Sequence, residues 1–225
     1  MKIEQKASPN HFSRSGWTPD MIVCHIAEGT YDGTIGWLCN PASQTSAHFV
    51  VGKDGRVAQL VPLEQAAWCN GTSTATNDKR YYGKSTLEAV RDRKTNANFY
   101  TVSIEHEGYW KDGRGKLTAA QQEATVELIR YIRTEIKRIY GTEIPADRKH
   151  IVGHYEINPI TKPCCPGENF PFDEIIEELE ENKESGKIYR VQVGAFRSKE
   201  NAQNYMLQVK RAGFPAFVVE VEQDG

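Results

Sequence analysis

The sequence predicts an α/β protein: a mixed central β-sheet flanked by helices, followed by a small C-terminal β–α–β module. Three observations predict it. Short apolar runs of strand length recur through the chain, each ending in a polar loop. One long segment repeats its apolar residues at helical spacing. After a charged stretch near residue 180 the strand and helix patterns start again.

Taken in order, Met21, Ile22, Val23 and Cys24 form a buried strand after Pro19, with His25 at its end. Strand ends and the loops after them are where such folds place chemistry. In residues 46–62, two β-rich runs flank the turn Gly52-Lys53-Asp54-Gly55 and read as a hairpin. Residues 70–98 are polar and read as a long surface loop with a short helix, and loops of that length are often functional. Residues 99–108 form another strand, in which Tyr100, Val102 and Ile104 alternate with Thr101, Ser103 and Glu105. Thr118 and Gln121 form a capping box for a helix whose stripe is Leu128, Ile129, Ile132, Ile136 and Ile139, and Gly141 stops it. A short strand at residues 150–152 precedes a Pro- and Cys-rich loop at 159–171, after which Asp173 caps a helix carrying Ile175, Ile176 and Leu179.

These readings divide the chain into a first domain at 1–179, a charged linker at 180–187 and a module at 188–225. The module reads as a strand at 188–196, a helix at 198–213 and a strand at 215–222, too small for a robust core alone.

A net charge of −2 gives no support for nucleic-acid binding, which shows as a basic face. No apolar stretch is long enough to span a membrane, and the first residues have no apolar run of a secretory signal. The expectation is therefore a protein that stays in the cytoplasm or leaves by a route not written in the sequence. Five cysteines cannot all pair internally, and the adjacent Cys164 and Cys165 are poorly placed to bridge each other.

His25, His154 and Cys165 stand out as metal ligands. Two imidazoles and one thiolate suit zinc and leave a fourth tetrahedral position open. Spacing alone does not decide this: a histidine at a strand end is more often structural, and no compact motif such as HExxH is present.

The segments IVCHIAE, SAHFVVGKDGRVAQLVP, AAWCNG, TVSIEHEG and GHYEINPITKPCCPGENFPFD occur in one order over roughly two-thirds of the chain. In that order they resemble the amidase-2 family, zinc amidases that include bacterial and phage peptidoglycan amidases and the peptidoglycan recognition proteins. The resemblance implies an N-acetylmuramoyl-L-alanine amidase, cofactor Zn2+, acting on the bond between glycan strand and stem peptide. It implies His25, His154 and Cys165 as metal ligands, with Cys164 the alternative to Cys165. Glu105 would be the general base, with Glu107 as fallback, and Lys162 would stabilise the oxyanion. His48 and Trp68 would line the substrate groove, and Cys69 stands where relatives often carry His. The other reading on the same fold is a recognition protein that binds peptidoglycan without cutting it.

The C-terminal run VQVGAF and the helix start SKENA resemble the first half of a SPOR domain, a module that binds peptidoglycan lacking stem peptides. Such a half-module is either truncated or pairs with a second copy, a route to a homo-oligomer. The implied setting is a bacterial endolysin or autolysin, stored in the cytoplasm and acting at the cell wall after release.

Overall fold

The computed structural model describes residues 1–184, 193–213 and 216–220. The chain divides into two compact units, Met1–Glu184 and Ser185–Gly225. In the first unit the strands are β1 (Ile3–Gln5), β2 (His11–Ser13), β3 (Met21–Ile26), β4 (Phe49–Val51), β5 (Val57–Gln59), β6 (Gln65–Ala67), β7 (Thr101–His106) and β8 (Ile151–Gly153). The helices are α1 (Tyr31–Leu38), α2 (Glu88–Arg93), α3 (Trp110–Gly113), α4 (Ala119–Tyr140), α5 (His154–Ile157) and α6 (Phe172–Glu184). Six strands form a mixed sheet in the order β1-β5-β4-β7-β3-β8, and β2 pairs with β6 apart from it. Only β4 and β5, the hairpin seen in the sequence, run antiparallel within the large sheet.

Strand alternation decides what each face of the sheet carries. On one face Ile22, Cys24, Val102 and Ile104 pack beneath Leu128, Ile129, Ile132 and Ile136 of α4 and Ile175 and Leu179 of α6. Each fully buried leucine or isoleucine there contributes about 2 kcal/mol. On the other face Met21, Val23, Tyr100 and Val152 meet Val90 of α2. The β7 residues on this second face are Thr101, Ser103 and Glu105, so that face turns polar toward the ends of the central strands.

Several local details differ from the sequence expectation. Thr118 Oγ1 accepts from Gln121 N–H at 3.1 Å, but the Gln121 side chain does not reach back to complete a capping box. Its Nε2 instead donates to Val51 O (3.2 Å), which also accepts Glu107 N–H, and to Glu107 O (3.1 Å), tying the helix start to the ends of β4 and β7. Gly141 ends α4 in the left-handed region, as expected, and Ile139 is only partly buried. Tyr100 closes a 3-10 turn, Ala97–Tyr100, rather than opening β7. Asp173 lies inside the first turn of α6, where it favours the helix dipole without being the N-cap. That helix runs to Glu184, so residues 180–184 of the expected linker are helical and 185–187 lie outside the described residues.

In the second unit the described residues form one helix, α7 (Lys199–Arg211), with Ser198 Oγ accepting from Asn201 N–H at 3.4 Å. Residues 193–197 and 216–220 carry no regular strand, and the rest of the two expected strands lies outside the described residues. No residue of α7 is buried, and Tyr205 and Leu207 on it stay exposed, in keeping with a unit too small to close a core.

Arg14 braces the first unit. It is buried, and it donates through Nε to Leu63 O (2.7 Å) and through Nη1 to Phe99 O (2.9 Å) and Thr101 O (3.1 Å). Its Nη2 lies 2.9 Å from His48 Nε2. His48 Nδ1 accepts from Ser103 N–H (3.0 Å), so the ring's single proton sits on Nε2, which is 3.0 Å from Gln65 O. The expectation that His48 lines a substrate groove is therefore corrected. The ring is 1% exposed, and backbone groups engage both of its nitrogens.

Replacing Arg14 with Met removes the guanidinium donors from three carbonyls, of which Leu63 O keeps the Tyr140 hydroxyl, and is expected to destabilise the fold by about 3 kcal/mol, read from the denaturant midpoint. Acid acts through buried histidines. Burial holds His106 down at about 4, and burial with the Arg14 guanidinium holds His48 well below its ordinary range. Because the folded values are depressed, the unfolded chain binds more protons below pH 6.5. Stability is thus full above pH 6.5 and falls as pH drops toward 4, by about 3 kcal/mol for His106 alone. Melting curves across that window should show the loss, and His106→Gln should flatten it.

Candidate metal and hydrolytic site

The site stands at the C-terminal ends of three parallel neighbours. β3 pairs with β7 so that His25 lies opposite Glu105, and β3 pairs with β8 so that Cys24 lies opposite Gly153. His154, the next residue, opens α5 beside His25, and open α/β sheets place ligands at this strand end. The two imidazoles meet edge to face with centroids 4.5 Å apart.

Cys165 reaches the site from the loop after α5. Asn158 O accepts Lys162 N–H (2.9 Å), Lys162 O accepts Cys165 N–H (3.3 Å), and Cys165 O accepts Tyr155 N–H (2.8 Å), so the loop folds back on the helix that starts at His154. Gly167 adopts φ 134°, and a Cβ there would overlap Arg114 O, so only glycine fits the turn that follows Pro166.

Ligand atoms of His25, His154 and Cys165 all lie within 4.8 Å of one another. Cys165 Sγ is 3.8 Å from His25 Nδ1, against about 3.6 Å between nitrogen and sulfur donors on a tetrahedral zinc. Cys164 is exposed and outside the group. Glu105 Oε1 is 4.0 Å from His25 Nδ1, while its Oε2 is buried without a hydrogen-bond partner. Glu107 faces away and accepts Lys53 N–H at 2.8 Å. Lys162 and Trp68 line a cleft of 710 Å3 together with His154, Asn158 and Cys69.

Charge explains why this cluster suits a cation. Burial, followed by His154, holds His25 well below its ordinary range, and burial with Lys162 lowers His154 to about 3. Both rings are neutral and have lone pairs to donate. Burial pushes the Cys165 thiol up to about 12, with Glu105 adding to the rise, and pushes Glu105 up to about 7. Those groups resist ionisation because burial removes their water, which the Lys162 ammonium only partly offsets, and a divalent cation would supply the rest of the charge. The donor set and the unpartnered Glu105 Oε2 fit a zinc-type ion.

Sequence reasoning singled out Cys69 only as a departure from the family pattern. Here its Sγ sits 3.4 Å from His25 Nε2 and donates to Glu105 Oε1 at 3.7 Å, and the three form a second close group. Asn158 was not anticipated. Its Nδ2 lies 3.3 Å from His154 Nε2 and donates to Asn70 O (3.4 Å). An alternating pattern cannot mark either residue, because both lie outside strands.

Residues 15–168 match the family described as N-acetylmuramoyl-L-alanine amidase, and residues 176–225 match the SPOR domain. N-acetylmuramoyl-L-alanine amidase A of Achromobacter lyticus is 30% identical over 131 residues, which span 58% of this chain and 60% of that protein. A selenomethionine AmpD structure shares the fold at TM-score 0.51 and 22% identity, covering 79% of this chain and 93% of its own. AmiD from E. coli, solved with anhydro-N-acetylmuramic acid-L-Ala-D-gamma-Glu-L-Lys, matches at TM-score 0.50 and 21% identity over 89% of this chain and 66% of its own. The family match covers more than half of the sequence and includes every residue of the cluster, so the chain belongs to the amidase-2, or N-acetylmuramoyl-L-alanine amidase, family and carries a SPOR-like C-terminal segment.

Proposed function

We propose that this protein is a zinc-dependent N-acetylmuramoyl-L-alanine amidase that hydrolyses the amide between the lactyl group of N-acetylmuramic acid and L-alanine in peptidoglycan. The observation that carries the proposal is the placement of His25, His154 and Cys165 within 4.8 Å of one another with Glu105 against them. Three protein donors leave a tetrahedral ion open to substrate, the pattern of a hydrolytic centre.

His25, His154 and Cys165 would hold the ion. Bound there, zinc supplies Lewis acidity, polarising a carbonyl oxygen and making water a better nucleophile at neutral pH. Glu105 takes the proton of the attacking water as its oxygen bonds to the lactyl carbonyl carbon. The Lys162 ammonium, in the adjoining cleft, offsets the negative charge that grows on the carbonyl oxygen. Glu105 then passes the proton to the alanine nitrogen as the C–N bond breaks, leaving a lactyl carboxylate and a free amine. Trp68 forms one wall of the cleft for the muropeptide. The SPOR-like segment would hold the enzyme on glycan strands and would be its route to a homo-oligomer. The setting that fits is an endolysin or autolysin held in the bacterial cytoplasm until it is released to the wall.

Purified cell walls should yield new lactyl and L-alanine ends, and a chelator should abolish the release. Cys165→Ser should lose both bound zinc and activity, whereas Cys164→Ser should keep both. Wall binding without any cleavage would sink the enzyme reading in favour of a recognition protein. Glu105→Gln should retain zinc, measured by metal analysis, and lower kcat/KM by about 100-fold or more.

A further inference from the structure

The sulfur of Cys69 touches two members of the hydrolytic cluster at once. It lies 3.4 Å from His25 Nε2 and 3.7 Å from Glu105 Oε1. Its distance to His25 Nδ1, the nitrogen that faces Cys165 Sγ at 3.8 Å, is longer, at 3.9 Å. His25 thus turns Nδ1 toward the cysteine ligand and Nε2 toward Cys69. Cys69 itself stands outside the group formed by His25, His154 and Cys165.

An imidazole that gives one nitrogen to a metal keeps its proton on the other, and that N–H needs an acceptor. Among the described residues, the side chain within hydrogen-bond reach of His25 Nε2 is Cys69. A thiol accepts through sulfur and donates through its S–H, so one side chain can serve the ring and the carboxylate together. Glu105 needs such a hold. Its Oε2 has no partner, and its side chain borders a second cleft, of 260 Å3, walled by Thr34, Trp37 and Leu38 of α1. That space gives an untethered carboxylate room to swing away from the cluster. The backbone carrying the sulfur is fixed on both sides. Trp68 N–H donates to Ser46 Oγ (2.9 Å), and Trp68 O accepts Ser46 N–H (3.1 Å) and the Thr45 hydroxyl (3.0 Å). On the other side Asn70 N–H donates to Asn98 Oδ1 (2.9 Å).

We propose that Cys69 is a positioning residue for the hydrolytic centre. Its sulfur accepts His25 Nε2–H, which commits Nδ1 to the ion. Its S–H holds Glu105 Oε1, which leaves Oε2 to take the proton of the attacking water. The inference rests on the amidase reading and deepens it, because it names the side chain that aligns a metal ligand with the general base.

Three measurements test it. In zinc-loaded protein labelled with heavy nitrogen at histidine, long-range proton–nitrogen correlation should place the His25 proton on Nε2, and an ion bound at Nε2 overturns the proposal. With cobalt(II) in place of zinc, the thiolate-to-cobalt charge-transfer band should be unchanged in Cys69→Ser and lost in Cys165→Ser. A band that Cys69→Ser weakens makes Cys69 a ligand and overturns the proposal as well. On a soluble N-acetylmuramoyl-peptide, Cys69→Val at full zinc content should lower kcat about tenfold and change KM less. Cys69→Ser, which keeps a donor and an acceptor, should recover most of that loss, and equal kcat in the two variants removes the hydrogen-bond role. The first measurement uses the unaltered chain and decides the matter even where Cys69→Val does not fold. Zinc bound with the His25 proton elsewhere ends this inference and leaves the amidase reading standing, whereas a protein that takes up no metal ends both.

Discussion

The parallel register of β7, β3 and β8 is the constraint from which the site follows. His25 and Glu105 occupy one row of the β3–β7 ladder, so they share a face and a depth without help from any loop. The third strand stops one residue short of that row, and His154 begins a helix where the strand would have continued. A slip of one residue in either pairing would turn His25 or Glu105 into the layer beneath α4, where Cys24, Ile104 and His106 now lie. The apolar residues of β3 hold that register as much as they fill the core.

Around this row the second face is unusually polar for a buried surface. Asn70 donates to Thr101 Oγ1 at 2.8 Å and accepts from Ser103 Oγ at 2.6 Å, and Asn98 Oδ1 accepts Asn70 N–H at 2.9 Å. The polar segment that sequence alone suggests is a surface loop is thus pinned to the sheet by side-chain amides. Such a network has little tolerance for loss of one member, because each partner is then buried unpaired. It also explains how Cys69 comes to face the cluster and Trp68 the adjoining cleft: Asn70 anchors the chain directly after them.

Much of this was legible in the sequence, and the gaps have physical causes. The runs at Met21–Ile26 and Thr101–His106 and the stripe on α4 were readable because apolar periodicity reports burial. His25, His154, Cys165 and Glu105 were readable through their resemblance to a family pattern, and the structure brings them together. His48 was misread because its motif lies in a site-forming segment, whereas its ring turns toward Ser103 N and Gln65 O. The choice between Cys164 and Cys165 depends on loop direction, which carries no periodic signal. The same holds for the brace made by Arg14, whose partners lie some 50 to 90 residues away in the chain.

The turn at Gly167 has a further consequence, for how this chain can change in length. The loop that bears Cys165 is tied at one end to Tyr155 N–H and at the other to the Arg114 turn, where Asn169 N–H donates to Arg114 O at 2.9 Å. A residue added or removed between positions 154 and 167 would shift the sulfur out of reach of both imidazoles. Residues 75–77 are exposed and line neither cleft, and an insertion there costs only a little loop-closure entropy. Length variation among functional descendants of this sequence should therefore collect in the outer segment and spare the thiolate loop.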